Sequence, residues 1–159
     1  MKLSEKINNK TIIYPFKSKS REEAIHELLD YFQKLDYLTA TTKLFSYLSS
    51  KDKVFNSVSS RGVAYHYHTS IEVNETLAVL AISKDGIDYN ATDGLLCHFI
   101  LLILEPIHAP NSHRKLINLF QELIKNPTIK SNFLELNSAN EIEKNIINWE
   151  NSDNVFDIL

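Results

Sequence analysis

Apolar positions recur along this chain with two periods, and the changes from one period to the other outline a fold. Thr11 to Phe16 is a short apolar run closed by Pro15 and Phe16, and reads as a first strand. Ala24, Leu28, Leu29 and Phe32 then recur at helical spacing, predicting an amphipathic helix to about Leu35. Ser20-Arg21-Glu22-Glu23 at its head has capping-box spacing: the hydroxyl takes a free backbone N–H and Glu23 reaches back. Leu44, Phe45 and Leu48 mark a second helix over about 41–49. Ser49 to Arg61 is polar and serine-rich, and reads as a surface loop.

The middle of the chain changes to strand character. Val63, Tyr65 and Tyr67 alternate with Ala64, His66 and His68, so the two sets face opposite ways. Leu77 to Ile82 is a continuous apolar run, as in a strand buried on both faces. Lys84-Asp85-Gly86 reads as a turn, and Leu95 to Leu104 as another buried strand closed by Pro106. A long helix begins at Pro110 or Asn111, with Leu116, Leu119, Phe120 and Leu123 inward, and Asn126-Pro127 breaks it. A short helix over about 128–136 follows. A last one starts at Ser138, with Ile142, Ile146 and Ile147 inward and Ser138 with Glu141 as a second capping box. Strands interspersed with helices predict a single α/β domain over 1–159, a mixed central sheet with helices on both faces.

Composition narrows the function. The chain has 159 residues, 43% hydrophobic, ample for one core. A formal net charge of −3 with mixed signs points away from nucleic acid and from an anionic membrane surface. The apolar run from Phe99 to Leu104 falls far short of the ~20 residues of a membrane span. The N-terminus lacks an apolar signal region, so a cytoplasmic location is expected. Cys97 is the sole cysteine; its apolar neighbours make it a buried, reduced thiol. The three glycines form no phosphate-cradling loop, and no cofactor is expected.

The candidate chemistry lies between Gly62 and His113. Imidazoles before a buried strand, at His66 and His68, and at a helix head, at His113, can converge in space. Reversible histidine phosphorylation needs such a pair, one nitrogen to attack and a second donor to hold the phosphoryl oxygens. A neutral imidazole suits this, with an unperturbed pKa of ~6.5. The same three histidines also match a three-histidine zinc site, but no carboxylate or cysteine is spaced to help, and no metal is expected. His98 reads as structural, His108 as a loop residue and His26 as helix surface. Tyr65, Tyr67 and Tyr89 read as packing residues with wet hydroxyls.

Several segments carry a resemblance to a known family: Ile82-Ser83-Lys84-Asp85-Gly86-Ile87-Asp88-Tyr89-Asn90-Ala91-Thr92-Asp93-Gly94, the strand ending Glu105-Pro106, the helix opening Asn111-Ser112-His113-Arg114-Lys115-Leu116, and Lys17-Ser18-Lys19-Ser20-Arg21-Glu22-Glu23-Ala24-Ile25. Together they resemble the enzyme IIA domain of the bacterial phosphotransferase system, in its fructose/mannitol and nitrogen-regulatory branch. The resemblance implies the type-2 enzyme IIA fold. It also implies a phosphocarrier that takes a phosphoryl group from an HPr-like protein and relays it to a IIB domain or signals to regulatory partners. The alternative is a degenerate domain of the same kind that only binds partners.

In the family a strand carrying Gly-hydrophobic-Ala-hydrophobic-Pro-His provides the nucleophile. Set without a gap on Gly62-Val63-Ala64, this motif puts Tyr67 on the phosphorylated histidine. A one-residue gap brings His66 or His68 there instead. The resemblance makes His113 the second histidine of the site, Lys51 the counterpart of an arginine, and Arg61 a possible replacement guanidinium for the phosphate. His66 and His113 are expected to lie together at one edge of the sheet, with His68 nearby but more exposed.

Overall fold

The computed structural model describes residues 1–50, 59–135 and 138–152. The elements are α1 (Leu3–Lys6), β1 (Ile12–Ile13), α2 (Arg21–Lys34), α3 (Thr42–Ser49), β2 (Ser59–Ser60), β3 (Val63–Ser70), β4 (Leu77–Ile87), β5 (Cys97–Pro106), α4 (Ser112–Ile124), α5 (Pro127–Glu135) and α6 (Ala139–Glu150). The sheet has the order β1–β4–β5–β3–β2. It is mixed, as expected: β3 runs parallel to β5, and β1 to β4, while β4 is antiparallel to β5.

The continuous apolar runs occupy the centre. Phe99 through Leu104 of β5 are each at most 1% exposed. Burying a side chain of this size contributes about 1.5–3 kcal/mol. Alternation along the strands builds two cores, one per face. Phe99, Leu101 and Ile103 join Val63 and Tyr65 against Leu116, Leu119 and Phe120 of α4, Phe133 of α5 and Ile142 of α6. Ile100, Leu102 and Leu104 join Ala64 against Ile25, Leu28, Leu29 and Phe32 of α2 and Leu48 of α3. Helices thus cover both faces.

The helix starts are built as their caps predict. The Ser20 hydroxyl accepts the Glu23 N–H at 3.2 Å and Ser138 accepts the Glu141 N–H at 3.3 Å. The Glu23 carboxylate reaches back one residue further than a capping box requires, to the N–H of Lys19 at 2.9 Å.

Several boundaries differ from the pattern. β1 is only two residues long, and the short helix α1 carries no periodic signal. Pro127 is the first residue of α5, where its missing N–H costs no helical bond, so it opens one helix as well as ending another. Lys84-Asp85-Gly86 is not a terminating turn. β4 continues to Ile87 through a register shift against β5 between Ile82 and Ile87. The irregularity absorbs the extra residues, as a bulge does. Gly86 makes it possible: its φ is +80°, and a Cβ there would meet Leu96 Cβ at 2.8 Å. β5 begins at Cys97 rather than Leu95, and Leu95 and Leu96 remain exposed.

Candidate functional site

β3 and the head of α4 place the candidate side chains, and the strand's alternation divides them. Tyr65 belongs to the α4 core and Ala64 to the α2 core. Tyr67 therefore faces α4, while His66 and His68 face the α2 side. The expectation that His66 and His113 share a site is overturned on this ground. Their imidazoles lie on opposite faces of β3, and each has a different aromatic partner.

On the α4 side, Tyr67 stacks on His113. The centroids are 3.9 Å apart and the planes 8° from parallel. His113 is the second residue of α4, and its side chain is 9% exposed. Glu105, near the end of β5, fixes it. The Glu105 Oε2 accepts from His113 Nδ1 at 2.9 Å and from the His113 backbone N–H at 2.9 Å. Ser112 donates its hydroxyl to the same oxygen at 3.2 Å, and the Asn111 N–H donates to Oε1 at 3.2 Å. Asn111 provides no side-chain cap, so a carboxylate from β5 caps α4 in its place, where the helix dipole favours negative charge. Burial pushes Glu105 up, but the hydrogen bonds from the His113 N–H, the His113 ring and the Asn111 N–H outweigh it and hold the carboxyl below its ordinary value. An ionised carboxylate can only accept, so Nδ1 carries the hydrogen. Nε2 has no protein partner among the described residues and is not sealed from solvent.

On the α2 side, His66 is 3% exposed. Its Nε2 lies 2.8 Å from the Tyr89 hydroxyl. Burial, and then the charge of Arg21, push its pKa down to about 3, so the ring stays neutral. Burial likewise raises Tyr89 strongly, against the pull of Arg21. The pair is a satisfied polar contact inside an apolar core. His68 is half-buried, with its ring 4.6 Å from that of Tyr47. Tyr89 is thus a buried hydrogen-bonding partner rather than a packing residue with a wet hydroxyl. The Tyr65 hydroxyl is also sealed from water.

The remaining candidates separate. Arg61 sits before β3, at the end opposite Tyr67; the strand from Val63 to Tyr67 alone spans about 13 Å. It is not gathered with His113. Lys51 and most of the serine-rich loop lie outside the described residues. His98 Nδ1 contacts the Ser83 carbonyl at 2.9 Å, and His26 pairs with Asp30 on the surface of α2. Burial raises the Cys97 thiol to about 11, aided by Asp93 and Asp88, which suits an inert thiol. Among the described residues, no group of three His, Cys, Asp or Glu side chains is placed to hold a metal ion, and no helix is long and apolar enough to cross a membrane.

Sequence reasoning missed Glu105 and Tyr89. Glu105 had a signal: a carboxylate closing a fully apolar strand needs a donor, and the next helix head supplies several. Tyr89 had none, because its reach to His66 depends on how β4 and the loop after it fold.

A family model described as "Phosphoenolpyruvate-dependent sugar phosphotransferase system, EIIA 2" matches residues 5–149. The PTS system fructose-specific EIIABC component of Bacillus subtilis (strain 168) is 26% identical over 143 residues, covering 89% of this chain and 22% of that protein. The chain thus spans well under half of that relative. Among solved structures, the nitrogen regulatory protein IIA-Ntr from Neisseria meningitidis superposes with a TM-score of 0.73 at 16% identity, covering 91% of this chain and 98% of that one. IIA mannitol from Escherichia coli gives 0.71 at 16% identity, covering 89% and 99%. A complex of Escherichia coli IIA mannitol with phosphorylated IIB mannitol gives 0.67 at 15% identity, covering 90% and 98%. These likenesses establish the fold.

Proposed function

From the premise that the chain belongs to the EIIA 2 family of the phosphoenolpyruvate-dependent sugar phosphotransferase system, we propose that residues 1–159 act as one regulatory, protein-binding IIA-type domain rather than as a histidine phosphocarrier. The observation that carries this reading is Tyr67 stacked on His113. The ungapped motif and the strand face both support reading Tyr67 as the counterpart of the family's nucleophile. A phenol is no substitute for an imidazole in a relay. A phosphorylated phenol is an ester, and it does not hand its phosphoryl group onward as a phosphoramidate does. The burial of His66 on the other face, against Tyr89, supports leaving it out of the relay.

The surroundings suit a protein partner. β3 and β5 are parallel and in register, with Ser70 opposite Pro106, so the next residues, Ile71 and Ile107, leave the sheet side by side. Both are exposed, at 81% and 59%. Tyr67 and Tyr47 are exposed as well, Tyr67 on the His113 face of β3 and Tyr47 beside His68 on the other. Aromatic residues of this kind are enriched at protein interfaces. An HPr-like phosphocarrier or a IIB domain is the partner class this reading assigns, with other regulatory proteins of the same system as further targets. A cytoplasmic location goes with those partners.

One observation favours a second reading. The Glu105 carboxylate holds Nδ1 of His113 and leaves Nε2 its lone pair, as a phosphoryl acceptor requires. In that case the donor's N–P bond breaks as a bond from His113 Nε2 to phosphorus forms, and the proton stays on Nδ1. His68, half-buried, is the other acceptor on this reading, and Lys51 a phosphate-stabilising residue. Incubation with enzyme I, HPr and labelled phosphoenolpyruvate separates the two. The regulatory reading expects no label, together with HPr- or IIB-induced amide shifts at Tyr67, Ile71 and Ile107. An acid-labile, base-stable label overturns it, and loss of that label in His113→Gln or His68→Gln assigns the acceptor.

A further inference from the structure

The end of β3 remote from His113 carries a second feature. A cleft of about 660 Å³ opens between the start of β3, the residues before β5 and the junction of α4 and α5. Its described lining includes Arg61, Lys125 and Lys130 and no carboxylate. Val63, Leu95, Ile124 and Pro127 supply apolar walls. The size falls within the range of small-molecule sites, as does the mix of apolar walls with a few polar groups.

Two observations mark the cleft as more than a surface hollow. The first is Tyr65, whose side chain lines it while the residue is only 1% exposed. Its hydroxyl lies beside Gln121 yet makes no hydrogen bond of acceptable geometry. A buried hydroxyl left without a partner is costly, and that cost falls in the wall of the cleft beside Gln121, a half-buried polar side chain that also lines it. The second is the way Arg61 is held. Its backbone N–H donates to Asp93 Oδ2 at 2.7 Å, and Lys130 Nζ donates to its carbonyl at 3.0 Å. Residue 61 keeps a left-handed conformation, φ 56°, so the chain is bent there under two tethers. Those tethers hold the Arg61 backbone and the Lys130 ammonium at the mouth that both residues line. Lys125 bonds Glu122 at 2.6 Å, but both are partly exposed and the pairing is weak.

We propose that this cleft binds a small organic phosphate, its phosphate on Arg61 and Lys130 and its body against Leu95, Ile124 and Pro127, with a polar atom reaching Gln121. Guanidinium and ammonium groups are the usual holders of phosphate oxygens. The apolar walls call for an organic body rather than the bare ion. The site is independent of the partner reading, since it lies at the other end of β3 from Tyr67.

The test is calorimetry and amide NMR on the full chain, with adenosine monophosphate and glucose 6-phosphate as probes of an aromatic and a polyol body. Inorganic phosphate is the probe of the ion alone. The proposal expects one ester to bind with a Kd below about 1 mM, with shifts at Val63, Tyr65, Leu95 and Lys130. Inorganic phosphate is expected to bind at least about tenfold more weakly, and Arg61→Gln or Lys130→Gln to weaken the ester by about tenfold or more. Absence of ester binding at several millimolar, inorganic phosphate binding as tightly as the ester, or shifts unchanged in both charge variants overturns the proposal.

Discussion

The ring of Tyr67 lies flat against the ring of His113, 3.9 Å between centroids, on the α4 face of a strand whose own histidines point the other way. On the function proposed above, a phenol stands here where the family's motif carries an imidazole.

Glu105 caps α4 and holds the His113 ring, and its removal should be felt in stability. Glu105→Ala leaves the N–H groups of Asn111 and His113 and the Nδ1 of His113 without their acceptor. Losing several charge-assisted bonds in a buried setting should cost about 2–4 kcal/mol in urea denaturation. A loss below 0.5 kcal/mol, on the order expected of a surface change, would show that α4 does not depend on this cap.

His66 should stay neutral throughout the accessible pH range. Burial first, and Arg21 second, take its pKa from 6.5 to about 3. In that window the unfolded chain binds a proton that the folded chain refuses, so His66 makes stability fall as pH falls from 6.5 toward 3. The slope is at most about 1.4 kcal/mol per pH unit. His66→Gln keeps a polar partner for Tyr89 and removes the titration. The difference in stability between pH 7 and pH 5 should then be smaller in His66→Gln than in the wild type. Equal differences, or a His66 NMR resonance titrating near pH 6.5, would contradict this.

Tyr65→Phe should be neutral or stabilising, although the side chain is fully buried. The hydroxyl makes no bond to lose, and its removal should gain up to about 1 kcal/mol, read as a raised urea midpoint. A loss above 1 kcal/mol, on the order of a broken buried hydrogen bond, would mean that the hydroxyl is satisfied in solution.

Much of this was legible in the chain. Runs such as Phe99–Leu104 and the spacing Ala24, Leu28, Leu29, Phe32 locate the central strand and α2, because burial on two faces or on one stripe dictates composition directly. The bulge in β4 was not legible: Lys84-Asp85-Gly86 has turn chemistry, and only the pairing with β5 keeps it in the sheet. The separation of His66 from His113 was half legible. Alternation alone puts Tyr67 opposite to His66 and His68, but which set faces α4 depends on the sheet's packing. The stack of Tyr67 on His113 and the Glu105 cap arise from residues brought together across three elements, and no local pattern announces them.

The central claim is that Tyr67 replaces the acceptor, and its most direct test is phosphohistidine mass spectrometry of the wild type and of Tyr67→His after incubation with enzyme I, HPr and phosphoenolpyruvate. The account predicts an unmodified wild-type chain and, in Tyr67→His, a phosphorylated imidazole at position 67 facing His113. A wild-type chain phosphorylated on any histidine in near-stoichiometric amount would contradict it.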